Sequence, residues 1–372
     1  MCKKLAQLKD IYSEEFLIEF AQKVKSVYND FDENHFVQDI LNDDWFSLKL
    51  RERMQKISTE LGRYLPQSYP KALEVLDLIV DDCVGFAYLF FPDFVSLHGL
   101  EEKYFELSME ALKRYTPMSS SEFAIRPFIL KNPERVMEKL ILWAKDENEH
   151  VRRLSSEGCR PRLPWGMSLP IYKTNPTPVL KILNILKKDP SLYVRKSVAN
   201  NLNDISKDNP QLVIQTAKQW FGENKDTDWI VRHGCRSLVK QSVPEIMSLF
   251  DYASQESLVA SGEITTDKKT IDLGEKIELQ YAVNIESLEP VKLRIEYGID
   301  FVKANGSTSR KKFLLSDKTV NAMSKLNGRR THDWSNLTTR KHYAGSHKIT
   351  LLVNGIEVSV TEINLKIEKA GK

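Results

Sequence analysis

The chain has 372 residues, of which 41% are apolar and 28% charged, with a formal net charge of +3. That composition describes a soluble globular protein of two or three domains, each long enough to bury a core of its own. The longest apolar run, Val84 to Phe91 (VGFAYLFF), is too short to span a bilayer, and MCKKLAQLKDIYSEEF lacks an apolar core of signal-peptide length.

The four cysteines (Cys2, Cys83, Cys159, Cys235) are scattered without a C-x-x-C pair. A disulfide framework or zinc site is therefore not expected, and a reducing cytoplasm fits best. Charge is segregated along the chain. Residues 1–120 carry 14 Lys+Arg against 21 Asp+Glu, residues 121–257 carry 21 against 16, and residues 258–372 carry 19 against 14. Such an asymmetry points to an anionic partner for the later two thirds, chance being the alternative.

Residues 1–120 read as helical: Leu17, Phe20, Ala21, Val24 and Val27 fall at helical spacing, as do Leu73, Leu76, Ile79, Val80 and Cys83. The segments LPQSYP and FFPDF read as proline turns between helices. From about residue 119 the chain repeats. DENEHVRR from Asp146, DPSLYVRK from Asp189 and DTDWIVRH from Asp226 share a D-x-x-x-x-V-R-basic pattern, spaced by 43 and 37 residues. That is the period of HEAT-type helical repeats, which stack into a solenoid with a concave surface. Arg152, Arg195 and Arg232, beside the valines, are expected to pair with aspartates of neighbouring repeats or to contact a ligand.

The stretch SSEGCRPRLPW (Ser155 to Trp165) breaks this pattern. Gly158, Pro161 and Pro164 stop a helix that starts near Glu147. Glu157 then sits in a last turn, at the negative end of the helix dipole, where a cation is the favourable choice. It is either neutralised at the surface by Arg160 or Arg162, or held there for chemistry. Arg160 and Arg162 alternate in a proline-stiffened strip predicted to be extended, with both forks outward and suited to phosphate. Trp165 is a core plug or a stacking platform. Asp204, in VANNLNDIS, ends the corresponding helix of the next repeat and either shares a cleft with Glu157 or is an ordinary aspartate of an Asn-rich turn. Glu122, three residues after Ser119, fits a capping box.

Near residue 258 the apolar period changes to two: Ile277, Leu279, Tyr281 and Val283; Val291, Leu293, Ile295 and Tyr297; Ile349, Leu351 and Val353. Asn354-Gly355 marks a hairpin returning through Ile356, Val358 and Val360. The predicted architecture is a helical HEAT-like solenoid over residues 1–257 followed by an immunoglobulin-like β-sandwich over residues 258–372. Two basic loops are expected in the sandwich: LTTRKHYAGSHK, with Arg340, Lys341, His342, Tyr343, His347 and Lys348, and STSRKKF, with Arg310, Lys311 and Lys312. Both suit a phosphate backbone. P-loop, G-x-G-x-x-G, G-x-S-x-G and H-E-x-x-H motifs are absent from the sequence.

SEGCRPRLPW, FAIRPFI (Phe123 to Ile129) and VRKSVANNLNDISKDNP (Val194 to Pro210) resemble the AlkC-type DNA alkylation-repair glycosylases, relatives of the AlkD-type HEAT-repeat glycosylases. FVKANG, RKKF and TTRKHYAGSHKITLLVNG resemble the immunoglobulin-like domain found in one branch of that family. The resemblance implies excision of N-alkylated bases, chiefly 3-methyladenine and 3-methylcytosine, from double-stranded DNA. The lack of a lysine in SSEGCRPRLPW favours hydrolysis by water, and so a monofunctional enzyme, over a Schiff-base lyase step. It implies Glu157, Asp204 and Glu122 as active-site acids and Trp165 as the aromatic flank of the lesion. Arg153, Arg160 and Arg162 would lie near the DNA backbone, and the sandwich would clasp the duplex through Arg340, Lys341 and His342. It further implies a cytoplasmic, nucleoid-associated bacterial monomer with no cofactor, metal, membrane or obligate protein partner. The competing reading is a non-catalytic scaffold that binds DNA or protein.

Overall fold

A computed structural model describes residues 7–42, 44–254, 259–338 and 340–367. The chain forms two compact units, Met1–Gly234 and Cys235–Lys372. The boundary expected at 257/258 lies outside the described residues. Packing divides the chain earlier, because the short helices Arg236–Gln241 and Pro244–Leu249 belong with the strands. Polar contacts tie the segment after them to the sheet. Lys292 Nζ donates to Phe250 O (2.9 Å), Tyr252 Oη to Asp317 Oδ2 (2.7 Å) and Asn354 Nδ2 to Ala253 O (3.0 Å).

Among the described residues the first unit contains helices and turns but no strands. Helix Glu14–Val27 starts where Ser13 accepts the Phe16 N–H (3.2 Å), and it buries Leu17, Phe20, Ala21 and Val24. Val27 faces solvent. The expected helical run from Leu73 to Cys83 is broken. Its helix spans Tyr69–Asp77, and Val80 opens a separate 3₁₀ turn. Asp77, at the helix's negative end, is offset by Arg114 (2.8 Å) and the Tyr115 hydroxyl (2.8 Å). FFPDF is also not a break between helices but the start of one, Phe90–His98. Pro92 lies in the first turn, where a backbone N–H has no acceptor within the helix and so is not missed. No helix among the described residues is long and apolar enough to cross a membrane. Cys2 lies outside the described residues, and Cys83, Cys159 and Cys235 are buried free thiols.

The repeated D-x-x-x-x-V-R segments build one local structure twice. Asp146 Oδ1 accepts the Asn148 N–H and Asp189 Oδ1 the Ser191 N–H, each at 2.9 Å, ahead of helices Glu149–Gly158 and Leu192–Ile205. Arg152 reaches back to the carbonyls of Asp146 (2.9 Å) and Glu147 (2.8 Å), and Arg195 to those of Asp189 (2.9 Å) and Pro190 (2.8 Å). Each arginine also reaches forward one repeat. Arg152 Nε meets Asp189 at 2.6 Å, and Arg195 Nη2 meets Asp226 at 3.2 Å. These two motif arginines are thus structural ties between repeats. The Arg232 guanidinium lies 4.8 Å over the Phe221 ring.

The second unit adds strands β1 (Val259–Thr266), β2 (Thr270–Asp272), β3 (Lys276–Glu286), β4 (Val291–Val302), β5 (Thr308–Val320), β6 (Lys325–Asp333), β7 (Gly345–Val353) and β8 (Ile356–Lys366). They form two sheets, ordered β1-β3-β6 and β2-β8-β7-β4-β5. Alternate residues of β3, β4 and β7 fill the core between them, around the fully buried Trp334. The β7–β8 hairpin turns through Asn354 (φ 47°) and Gly355 (φ 88°), two successive left-handed residues, as the sequence predicts. The expected loop at Arg310, Lys311 and Lys312 is instead part of β5, an edge strand of the larger sheet.

His332, His342 and His347 pack around Trp334, with ring centroids 5.5, 5.3 and 4.8 Å from it. Burial, helped by Arg340 and His342, holds His332 down to about 4, and burial also lowers His342 and His347. In the unfolded chain these rings take up protons near pH 6.5, so acid favours unfolding. Stability is therefore full above about pH 6.5 and is lost as pH falls towards 4, with His332 alone contributing about 3 kcal/mol. Urea titrations of the protein at pH 7 and pH 4.5 should show that fall in the sandwich transition. A flat profile would rule out the neutral buried cluster.

Candidate active site

Helix Glu149–Gly158 delivers the first carboxylate. Asn148 opens it by accepting the His150 N–H (2.8 Å). Gly158 closes it at a point where a Cβ would lie 2.7 Å from Ile125 Cγ2. Glu157, 6% exposed, is therefore fixed in the last turn. Its adjacent carbonyls are satisfied, Ser156 O by Asn201 Nδ2 (2.8 Å) and Glu157 O by the Arg160 N–H (3.3 Å). Cations meet the carboxylate itself. Arg160 Nη1 donates to Oε1 at 2.7 Å, and Arg153 Nη2 stands 3.6 Å from the same oxygen.

Asp204 comes from the end of helix Leu192–Ile205. Its Oδ2 accepts from Arg160 Nε (2.9 Å) and lies 2.8 Å from Nη2, while Oδ1 accepts from Lys207 Nζ (2.9 Å). Arg160 thus bridges carboxylates from two successive repeats. Burial lowers the Arg160 pKa, but Glu157 and Asp204 more than reverse this and leave it raised.

The outward strip expected at Arg160 and Arg162 does not form, because residues 159–166 fold into a series of turns. Arg160 is buried on its two carboxylates, and Arg162 makes a two-pronged pair with Asp208 (2.9 and 2.6 Å). Fixed carboxylates within reach hold a guanidinium more strongly than water does. Glu122 is not part of a capping box either. Ser119 Oγ turns to Tyr115 O (3.4 Å), the next helix starts at Ile125, and Glu122 accepts from Ser120 Oγ and from Arg153 Nη1 (2.8 Å). Arg153 also lies 4.6 Å over the Tyr193 ring.

Glu122, Arg153, Glu157, Arg160 and Trp165 line one open cleft of about 410 Å³, with Phe86 and Tyr193 on its walls. Asp204 acts on the cleft through Arg160. Trp165 is no core plug: it is 65% exposed, on a backbone held at φ 62°, and Arg51 donates to its carbonyl oxygen. A left-handed backbone is unusual for a bulky residue and marks a constrained position. The remaining predicted residues lie in the other unit. Lys341 is exposed, and Arg340 stands 4.3 Å over the Phe301 ring. His342, 3% exposed between Phe301 and Trp334, is a core residue and not the surface contact expected. Among the described residues, no group of three or more His, Cys, Asp or Glu is placed to hold a metal ion.

Sequence reasoning missed Tyr193, Phe86 and Arg51. A signal existed for Tyr193, which directly precedes the Val194-Arg195 of its repeat, as Arg153 directly follows the Val151-Arg152 of the one before. Phe86 and Arg51 carried none beyond their residue type.

Residues 119–238 match the family described as DNA alkylation repair enzyme. Residues 260–367 match the C-terminal Ig-like domain described for the uncharacterised protein YhaZ. The chain is 42% identical over 351 residues to the uncharacterized protein YhaZ of Bacillus subtilis (strain 168), covering 94% of this chain and 97% of that one. A solved structure, the Pseudomonas fluorescens alkylpurine DNA glycosylase AlkC bound to DNA containing an abasic site analog, is similar over 97% of this chain and 100% of its own. The TM-score is 0.91 and the identity 38%.

Replacing Arg160 by Met would leave the buried carboxylates of Glu157 and Asp204 without their shared cation. The expected loss is about 3–5 kcal/mol. Trp165→Gly, which relieves a left-handed backbone and removes an exposed ring, should stay within about 1 kcal/mol of wild type. Chemical denaturation of the two variants checks both expectations.

Proposed function

This chain belongs to the AlkC-type family of DNA alkylation-repair proteins, and we propose that it is a DNA glycosylase that removes N-alkylated bases, 3-methyladenine and 3-methylcytosine, from duplex DNA. The observation that carries the reading is the convergence of Glu122, Glu157 and an exposed Trp165 on one cleft, in a chain similar throughout its length to an alkylpurine DNA glycosylase.

The chemistry suits these residues. A 3-alkylated adenine or cytosine is already cationic, hence a good leaving group that needs little acid assistance. As the glycosidic bond lengthens, positive charge moves onto the deoxyribose. Both arginine contacts of Glu157 fall on Oε1, which leaves Oε2 to stabilise that charge and to align a water for attack at C1′. Asp204 and Glu122 set the two arginines that orient Glu157. Trp165 supplies a flat apolar surface beside the lesion, and exposing a weakly paired alkylated base costs less than unstacking an intact one. Among the described residues, none of those lining the cleft is a lysine. This favours direct hydrolysis, and so a monofunctional enzyme, over a Schiff-base step. The excess of cations over residues 121–372 supplies the attraction to the duplex.

Glu157→Gln should bind methylated duplex as wild type does and release base about 10²–10³ times more slowly. Chromatography of the freed bases, with a binding titration in parallel, tests this. DNA affinity should also fall steeply with salt. Binding by both proteins with release by neither would establish the scaffold instead.

A further inference from the structure

The segment FAIRPFI carries an arginine that the chemistry above does not use. Arg126, in the helix Ile125–Lys131, is 0% exposed. Its guanidinium touches none of the carboxylates through a hydrogen bond. Instead, Nη1 donates to Gly158 O (2.8 Å) and Nε to Met167 O (2.6 Å). Nη2 is buried without a partner among the described residues. Burying a cation on two neutral acceptors, with one nitrogen unpaired, costs stability relative to an apolar side chain of the same volume. Packing alone therefore does not account for Arg126.

The two carbonyls give the reason. Gly158 follows Glu157 directly and ends its helix, and Met167 lies two residues beyond Trp165. Between them run the turns of residues 159–166, which carry Arg160. With Asn201 on Ser156 O and the Arg160 N–H on Glu157 O, the Arg126 contact completes three successive capped carbonyls at the end of the Glu157 helix.

We propose that Arg126 is a positioning residue for base excision: its planar fork fixes the carbonyl of Gly158, next to Glu157, and that of Met167, two residues beyond Trp165, and so holds the acid and the aromatic surface at a set separation. This role rests on the glycosylase reading. The fork presents donors on two separate nitrogens at a fixed spacing and in one plane, whereas a lysine's three donors radiate from a single nitrogen on a flexible stem and do not hold two carbonyls in that geometry. Loss of one tether displaces a reacting group without emptying the core, and displacements of an ångström or less slow reactions steeply.

The test measures single-turnover release of 3-methyladenine by wild type, Arg126→Lys, Arg126→Gln, Glu157→Gln and the Arg126→Lys/Glu157→Gln double variant. Affinity is measured in parallel on a duplex containing an abasic analogue. Arg126→Lys is expected to slow release about 10-fold or more while changing affinity less than about 2-fold. In the Glu157→Gln background the same change should add little further loss, because the two residues act as a unit. Wild-type rates in both arginine variants would overturn the proposal. So would a loss that multiplies independently with that of Glu157→Gln, or an affinity loss equal to the rate loss. If near-ultraviolet circular dichroism shows both arginine variants unfolded, Arg126 serves folding and the proposal fails. A wild-type protein that releases no base removes the glycosylase reading itself.

Discussion

A guanidinium cannot stay buried without partners, and those of Arg160 come from different helices of the repeat array. Glu157 is three residues away in the chain and Asp204 is forty-four. The contact joins two consecutive repeats through a single side chain. Removing one acid leaves the cation on the other, whereas removing the cation takes from two buried carboxylates the partner they share. The cleft's composition follows from that arrangement. Arg153 is drawn between Glu122 and Glu157 and over Tyr193. The site is a closed set of ion pairs with one apolar wall, in which each charge sets the orientation of the next.

The same principle operates further out at lower stakes. Arg152 and Arg195 repeat one pattern, backward to two carbonyls and forward to the next aspartate. These ties keep successive helices in register. Positions beside the ties are left for other work: Arg153 follows Arg152 into the cleft, and Tyr193, two residues before Arg195, reaches it from helix Leu192–Ile205. Structural and chemical residues are interleaved, and a neighbour's role in stacking decides which side chains reach the site.

Much of this is legible in the sequence. The repeat period, the broken helix at Gly158 and the carboxylate in its last turn all follow from local rules, and so does the Asn354-Gly355 hairpin. What escaped was set by distant partners. The prolines around Arg160 suggested an extended strip, and only the folded chain brings Asp204 and Asp208 within reach to pull both arginines back. Glu122 met the spacing of a capping box, yet Arg153, thirty-one residues on, claims it. Strands β5 and β6 were hidden because edge strands need only one apolar neighbour. TSRKKFLLSDKTV and KLNGRRTHD therefore lack a clean alternation. His342 looked like a surface base from its flanking cations, and burial against Trp334 was not visible until the loop was placed.

The basic run of β5 bears on how the protein behaves in a crowded solution. A strand at the border of a sheet presents a row of backbone donors and acceptors that any other extended segment can complete, which is a route to aggregation. Arg310 on that border is neutralised by Asp300 and Glu357, but Lys311, Lys312 and Lys318 add positive charge along it, which opposes the approach of a second copy of the same edge. The repulsion grows as salt is withdrawn. Charged side chains on a border strand are one of the ways in which a sheet discourages such pairing.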